Sequence, residues 1–391
     1  MADITVDSAV QDNFNALTSP RTLVWINKTT GYMFFIDSAI DFHYRKTTDS
    51  GASWGTEVTI RTGTVLGFSI WYDRWTKGDS GDIIHMAFVD TNDDNITYNS
   101  FDTNDDTLDG EVTVLNGSTA DGGASFVFRC ISIVKAKGGN VYVGGWIDND
   151  GENGFFRATQ SPATSFTSRT TMADGNVVDR IQFLTGSETD TNDIWSIYQD
   201  ASANQITLKV YDDTGNSWSE SSSIDSIAEA TVFFGYDAMD RHSDGHAILV
   251  MWNANQSTTA DLAVWDITDI STQTAKTDVI VDDSVHGICG LVINQQNDNL
   301  YAIYSDGATI GQIFYQISTD GGGTWDGAVA LSITADDHKG IFSGSIIGND
   351  GGRMMPQWFN DDLNSLVTNK DNSVEINEVE LFDAAILGCN F

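Results

Sequence analysis

Short apolar runs that end in an aromatic residue, with Asp or Asn within the next two positions, recur along this 391-residue chain at near-constant intervals. They are GYMFFID (Phe35, Asp37), IIHMAFVD (Phe88, Asp90), NVYVGGWID (Trp146, Asp148), IWSIYQD (Tyr198, Asp200), AILVMWN (Trp252, Asn253), LYAIYSD (Tyr304, Asp306) and RMMPQWFN (Trp358, Asn360). Successive aromatics are separated by 53, 58, 52, 54, 52 and 54 residues. Self-similarity at a fixed period constrains a fold more tightly than any local propensity, because one supersecondary unit must then serve at every copy.

Each copy keeps the same internal order. An apolar strand precedes the marked one (TLVWI, FSIWY, RIQFL, GICGLVI), a third follows (FHYRKT, NITYNSF, ITLKVY, QIFYQI), and a short fourth closes the unit (TEVTI, GEVTVL, GAVALS). Gly, Asp and Asn separate the strands, as meander turns require, and no long stretch carries the 3.6-residue period of an amphipathic helix. A four-stranded antiparallel unit repeated about every 54 residues is a β-propeller blade, and packing blade on blade covers both faces of each sheet. The expectation is an all-β, seven-bladed β-propeller with blades near 19–62, 63–117, 118–173, 174–227, 228–282, 283–334 and 335–380. The N-terminal ITVDSA, within residues 1–18, is expected to close the ring against blade seven, whose own fourth strand is read weakly in SVEINEVELF. The apolar tail, 381–391, is expected to dock on the ring or on a partner.

Charge bounds the partners. Nineteen Lys and Arg face 56 Asp and Glu, for a net charge of −37. That field repels nucleic-acid phosphates and anionic membrane surfaces, so neither is expected as a partner. No apolar run is long enough to cross a bilayer and the first residues lack a secretory signal pattern, so a soluble chain is expected, in a virion or released by lysis among the options. Cys130, Cys289 and Cys389 have neither disulfide-framework nor metal-ligand spacing.

One phrase recurs at a fixed place in the repeat. TTDSGASW (47–54), DDTGNSW (212–218) and STDGGGTW (318–325) each end in a Trp 19 to 21 residues after the marked aromatic, on the turn between strands three and four. Asp49, Asp213 and Asp320 are suited to accept backbone N–H groups inside the turn, and Gly51, Gly215 and Gly322 to take left-handed backbone. Trp54, Trp218 and Trp325 are expected to fold back between sheets. The wording resembles the Asp-box, or bacterial-neuraminidase repeat, S-x-D-x-G-x-T-W, which STDGGGTW matches at every specified position. The resemblance implies the propeller scaffold, shared by sialidases, other glycan-processing enzymes and binding proteins.

A sialidase of that resemblance grips a carboxylate with arginines and uses an acid/base Asp, roles that would fall here to Arg21, Arg129, Arg180 and Asp37 or Asp41, but the Arg-Ile-Pro motif is SPRTLVW and no Glu stands beside a credible Tyr. The expected function is therefore a non-catalytic propeller that binds a glycan or a protein surface, in a larger assembly such as a phage particle. The alternative is a sialidase-like exo-glycosidase or a polysaccharide lyase. For ligand contact IWYDRWTKGDSGD stands out, with Trp71, Tyr72, Arg74 and Trp75 offering flat rings beside charge. The Asp-rich loops with Asp90, Asp94, Asp148 and Asp150 offer the oxygen ligands Ca²⁺ prefers, although plain turn chemistry needs the same residues. His242 and His246 in HSDGH could share a metal only if the turn brought both rings together; a solvated loop is the favoured reading.

Overall fold

A computed structural model describes residues 3–10, 21–63, 65–90, 95–116, 131–147, 152–172, 180–186, 192–200, 202–227, 235–253, 260–283, 289–305, 312–332, 338–342, 351–360, 365–370 and 373–376. The chain is a seven-bladed β-propeller of antiparallel sheets. Blade one runs outward from the axis through Leu23–Trp25, Gly31–Ile36, Phe42–Thr47 and Val58–Arg61. Blades two to six repeat the order, with inner strands Val65–Tyr72, Ile131–Lys135, Arg180–Leu184, Tyr236–Asp240 and Cys289–Asn294. Among the described residues no helix is long and apolar enough to cross a membrane.

Strands here lie between two neighbouring sheets, so both faces are covered and simple alternation gives way to continuous burial. In Ile83–Asp90 every residue after the first is buried. The faces interleave through rings: Phe42 of blade one stacks on Phe68 of blade two at 4.5 Å, and Phe155 of blade three meets Trp218 of blade four at 4.9 Å.

The innermost strand of each blade has an axial edge with no neighbouring strand, so its N–H groups need partners from elsewhere. A side chain on the inner strand of one blade supplies one to the next. Ser69 Oγ accepts Ile133 N at 3.3 Å, Ser132 Oγ accepts Phe183 N at 2.9 Å, Gln182 Oε1 accepts Ala238 N at 3.0 Å, and Asp237 Oδ2 accepts Leu291 N at 2.8 Å. The joint between blades four and five adds Asp240, which accepts from the backbone of Thr185 and Gly186 and from the Thr185 hydroxyl.

Blade seven differs. Its strands are His338–Phe342, Gln357–Asn360 and Ser365–Thr368, and its outermost strand is the N-terminal Ile4–Asp7, antiparallel to Ser365–Thr368 with Ile4 opposite Thr368. Arg45 of blade one donates to Asp7 Oδ2 at 2.6 Å, so the same segment is tied to the first blade. SVEINEVELF is not the fourth strand of this blade. Its described part, Val374–Ile376, pairs instead with Gly352–Met354 in a separate two-stranded sheet. The outer edge is already occupied by the N-terminal strand, and Pro356, which has no N–H to give a ladder, separates Gly352–Met354 from Gln357–Asn360. The tail expected to dock lies outside the described residues.

The recurring phrase forms two equivalent turns. In blade one Asp49 Oδ1 accepts Ser53 N, Oδ2 accepts Ser53 Oγ, and Thr47 Oγ1 accepts Gly51 N. Blade six repeats this with Asp320, Thr324, Ser318 and Gly322. Both glycines sit at positive φ, 79° and 90°, and each lies against the preceding blade: a Cβ on Gly51 would meet Met355 of blade seven, one on Gly322 Lys276 of blade five. Trp325 Nε1 donates to Thr277 O at 2.8 Å, and Trp54 packs half-buried on the core. The blade-four version departs. Asp212, not Asp213, accepts Gly215 N, the positive φ is at Asn216, and Asp213 reaches blade three to bind Arg157 at 2.6 Å. Ser217 pairs directly with Asp212 in a tight hairpin, which leaves no room for the longer turn.

Two predictions follow from these joints. Ser132→Ala leaves the buried Phe183 N–H unpaired and should lower unfolding free energy by about 1–3 kcal/mol, read from denaturant titration. An unchanged midpoint would refute the role given to inner-strand acceptors. In the turns, burial would raise the Asp49 carboxyl, but hydrogen bonds from Ser53 and Thr47, with Lys370 nearby, hold it below its ordinary value; Asp320 is held low by Thr324 and Ser318. Carboxyls depressed in the fold add stability above their unfolded pKa, about 4, and lose it as pH falls through the folded values. Asp49→Asn with Asp320→Asn should therefore lower the Tm at pH 7 and leave little difference from the parent at pH 2.

Candidate functional site

Three of the four residues singled out for ligand contact, Trp71, Tyr72 and Trp75, are buried against one another. Arg21, just before the inner strand of blade one, is 1% exposed. Its guanidinium lies over the rings of Trp71 and Trp75 at 5.0 and 5.9 Å and donates to Ala238 O of blade five at 2.5 Å. Burial pushes its pKa down, while Asp237 and Asp240 pull it back up. Across the axis His242 Nε2 meets Trp75 O at 3.0 Å, joining the turn of blade two to that of blade five.

This corrects the expectation of an aromatic binding surface. Trp71, Tyr72 and Trp75 are fully buried, their ring faces covered by one another and by Arg21. Arg74 is committed to its own turn, donating to Asp82 Oδ1 at 2.5 Å and to Gly81 O. Arg21 cannot reach a ligand carboxylate from this position, which removes the anchor of a sialidase-type grip. Arg180 opens the inner strand of blade four, half-buried, and Arg129 lies outside the described residues. The two histidines of HSDGH do not meet at a metal: His246 Nδ1 faces Asp266 at 2.7 Å while His242 faces Trp75. Nor is HSDGH simply a solvated loop, since burial lowers the His242 pKa. Of the proposed Ca²⁺ ligands, Asp90 is buried and bound to Arg61 at 2.6 Å, and Asp94, Asp148 and Asp150 lie outside the described residues.

A second chain of polar groups has catalytic vocabulary without access. Asp73 Oδ1 faces His85 Nε2 at 3.0 Å, and His85 Nδ1 faces Tyr98 OH at 2.7 Å. His85 is 0% exposed, and Lys135 of blade three completes the set on Asp73 at 2.6 Å. Its place between two sheets makes it a brace.

The outer contact between blades four and five is different. Asp225, on the outer edge of blade four, accepts the indole N–H of Trp265 at 3.3 Å and the Asn253 amide at 3.4 Å, both from blade five. Asn253 in turn accepts Asp261 N at 3.0 Å. Asp278 completes the group, its carboxyl raised above the ordinary range by burial and by the charges of Asp261 and Asp225. Asp225, Trp265 and Asp278 are all partly exposed. Asp225 thus stands beside an indole whose polar edge it fixes, and it and Asp261 lie near enough to Asp278 for their charges to raise its carboxyl. None of the three was marked by the sequence, although the ADLAVWDI strand, with Asp261 and Trp265 four residues apart, carried the signal.

No protein-family model and no curated protein sequence matches the chain. Solved structures do. AofleA from Arthrobotrys oligospora is similar at 13% identity and a TM-score of 0.50, over 85% of this chain and 94% of that one. An ulvan lyase, a polysaccharide lyase solved bound to -[GlcA(1-4)Rha3S]-, is similar at 9% identity and a TM-score of 0.51, over 96% and 95%. A prolyl endopeptidase matches at 11% identity and a TM-score of 0.52, covering 93% of this chain and 49% of that one. The likeness shows the fold.

Proposed function

We propose that this propeller acts on a neutral polysaccharide as a glycoside hydrolase, at the outer contact between blades four and five. The observation that carries the reading is the group of Asp225, Asp261 and Asp278, with Trp265 held against Asp225. Glycoside hydrolysis needs one carboxyl that holds a proton near neutral pH and a second that is ionised, flanking the same bond. Asp278 is assigned the first role, its carboxyl raised from its ordinary value by burial and by its two acidic neighbours. Asp225, which accepts from an indole and an amide N–H, is assigned the second role. Trp265 supplies a flat face for a sugar ring. End-to-end similarity to a polysaccharide lyase supports a carbohydrate-directed role. The net charge of −37 favours a neutral chain over a uronate- or sulfate-bearing one.

Binding without turnover is the second reading, with the propeller holding a glycan or a protein surface, in a larger particle such as a virion. Its support is the burial of Arg21 and of Asp261, which is only 5% exposed.

Reducing-end release from a panel of neutral polysaccharides separates the two. For a hydrolase, Asp278→Asn should lower kcat by about 10²-fold or more with KM little changed, the scale of a lost proton donor. For a binder, the parent retains polysaccharide without releasing ends, and Trp265→Ala abolishes retention. Neither turnover nor retention across the panel would refute the hydrolase reading and glycan binding alike, leaving only a protein surface as the bound partner. A stability readout accompanies the first variant. A carboxyl raised in the fold contributes stability below its unfolded pKa and loses it as pH rises through the folded value, so Asp278→Asn should raise the Tm at pH 7 and not at pH 3.

A further inference from the structure

The turn of residues 37–41 in blade one holds two carboxylates, each anchored by one oxygen. Asp37 Oδ1 accepts the N–H groups of Ala39 and Asp41 at 2.9 and 2.8 Å, and Asp41 Oδ1 accepts Gly63 N at 2.7 Å. Ile40 between them has φ of 66°, a conformation a β-branched residue takes only when its surroundings impose it. His43 follows on the third strand. It is 3% exposed, and neither ring nitrogen makes a hydrogen bond among the described residues. Nε2 lies 3.4 Å from the other oxygen of Asp37, and Nδ1 lies 3.4 Å from Glu57 Oε1. One ligand atom from each of Asp37, Asp41 and His43 falls within 4.8 Å of the others.

A buried imidazole without hydrogen bonds forgoes about 1–3 kcal/mol for each unsatisfied group, so its position calls for a partner that the described residues do not provide. The spacing identifies one. Two ligands about 2.0–2.1 Å from a tetrahedral ion stand roughly 3.3 Å apart. The separation of His43 Nε2 from Asp37 matches that figure. On the far side of the ring, Glu57 faces Nδ1, the place from which a carboxylate fixes the tautomer and orientation of a metal-bound histidine. We propose that Asp37, Asp41 and His43 bind a divalent transition-metal ion, with Zn²⁺ the best match and Glu57 as the positioning carboxylate. One imidazole and two carboxylates suit Zn²⁺ or Mn²⁺, whereas Ca²⁺ takes oxygen ligands throughout. Asp37 and Asp41 are each half-buried, so solvent can complete the coordination. The site belongs to blade one, far along the chain from Asp225 and Asp278, and it stands or falls independently of the hydrolase reading.

The test uses the full chain, stripped with a chelator and titrated calorimetrically with Zn²⁺, Mn²⁺ or Ca²⁺, with metal analysis after dialysis. One equivalent of Zn²⁺ should be retained, Zn²⁺ should bind more tightly than Ca²⁺, and binding should release protons. Asp41→Asn and His43→Gln should each weaken Zn²⁺ binding at least tenfold, and Glu57→Gln about 10- to 100-fold. Asp49→Asn, an acidic residue of a different turn in the same blade, should leave the Zn²⁺ affinity unchanged. If His43→Gln fails to fold, Asp41→Asn carries the test, because that side chain reaches solvent. No stoichiometric uptake, tighter binding of Ca²⁺ than Zn²⁺, or uptake unchanged by Asp41→Asn and Glu57→Gln would overturn the proposal; the last would place the ion elsewhere on the acidic surface.

Discussion

The axial edge of each innermost strand is the constraint around which this propeller is organised. A sheet edge that faces a narrow channel can neither pair with another strand nor be left bare, since each unmet N–H costs about as much as a lost buried hydrogen bond. Ser69, Ser132, Gln182 and Asp237 meet the need by lending an oxygen to the next blade. The same contacts fix how far one blade is rotated from its neighbour, so solving the edge problem also sets the ring geometry. At the joint where the acceptors are acidic, Asp237 and Asp240, the guanidinium of Arg21 of blade one lies close enough for their charges to raise its pKa against the effect of burial. That arginine therefore belongs to the scaffold, and its burial between two indoles follows from the same need.

At the rim, the joints are made by turns. The glycines at 51 and 322 bring backbone against the preceding blade, and the Asp inside each turn holds the loop in the shape that permits the approach. A phrase used twice, 271 residues apart, is thus one joint used twice. Blade four solves the same problem with an ion pair, Asp213 to Arg157, and has no need of the long turn.

The repeat was legible in the sequence because it rests on spacing and on apolar runs, which depend little on distant context. The site was less so. Trp71, Tyr72 and Trp75 beside Arg74 read identically whether the rings face solvent or one another, and only closure of the ring decides that they are covered. Asp225, Asp261 and Asp278 come from two consecutive blades and meet because one sheet packs on the next; a linear reading treats each as one more acid among 56 Asp and Glu. Val374–Ile376, the part of SVEINEVELF in the described strand, pairs outside the four-stranded sheet of blade seven, whose outer edge Ile4–Asp7 already holds.

The clasp between Ile4–Asp7 and Ser365–Thr368 has a consequence for how the molecule is made. Local hairpins can form as each blade emerges during synthesis, but the final circle waits for its first and last strands to meet across some 360 intervening residues. Until then the outer edge of the seventh sheet is open, and a strand from another copy of the chain could take the vacant place. Ring closure and exchange between molecules would then compete for one edge, with concentration deciding between them.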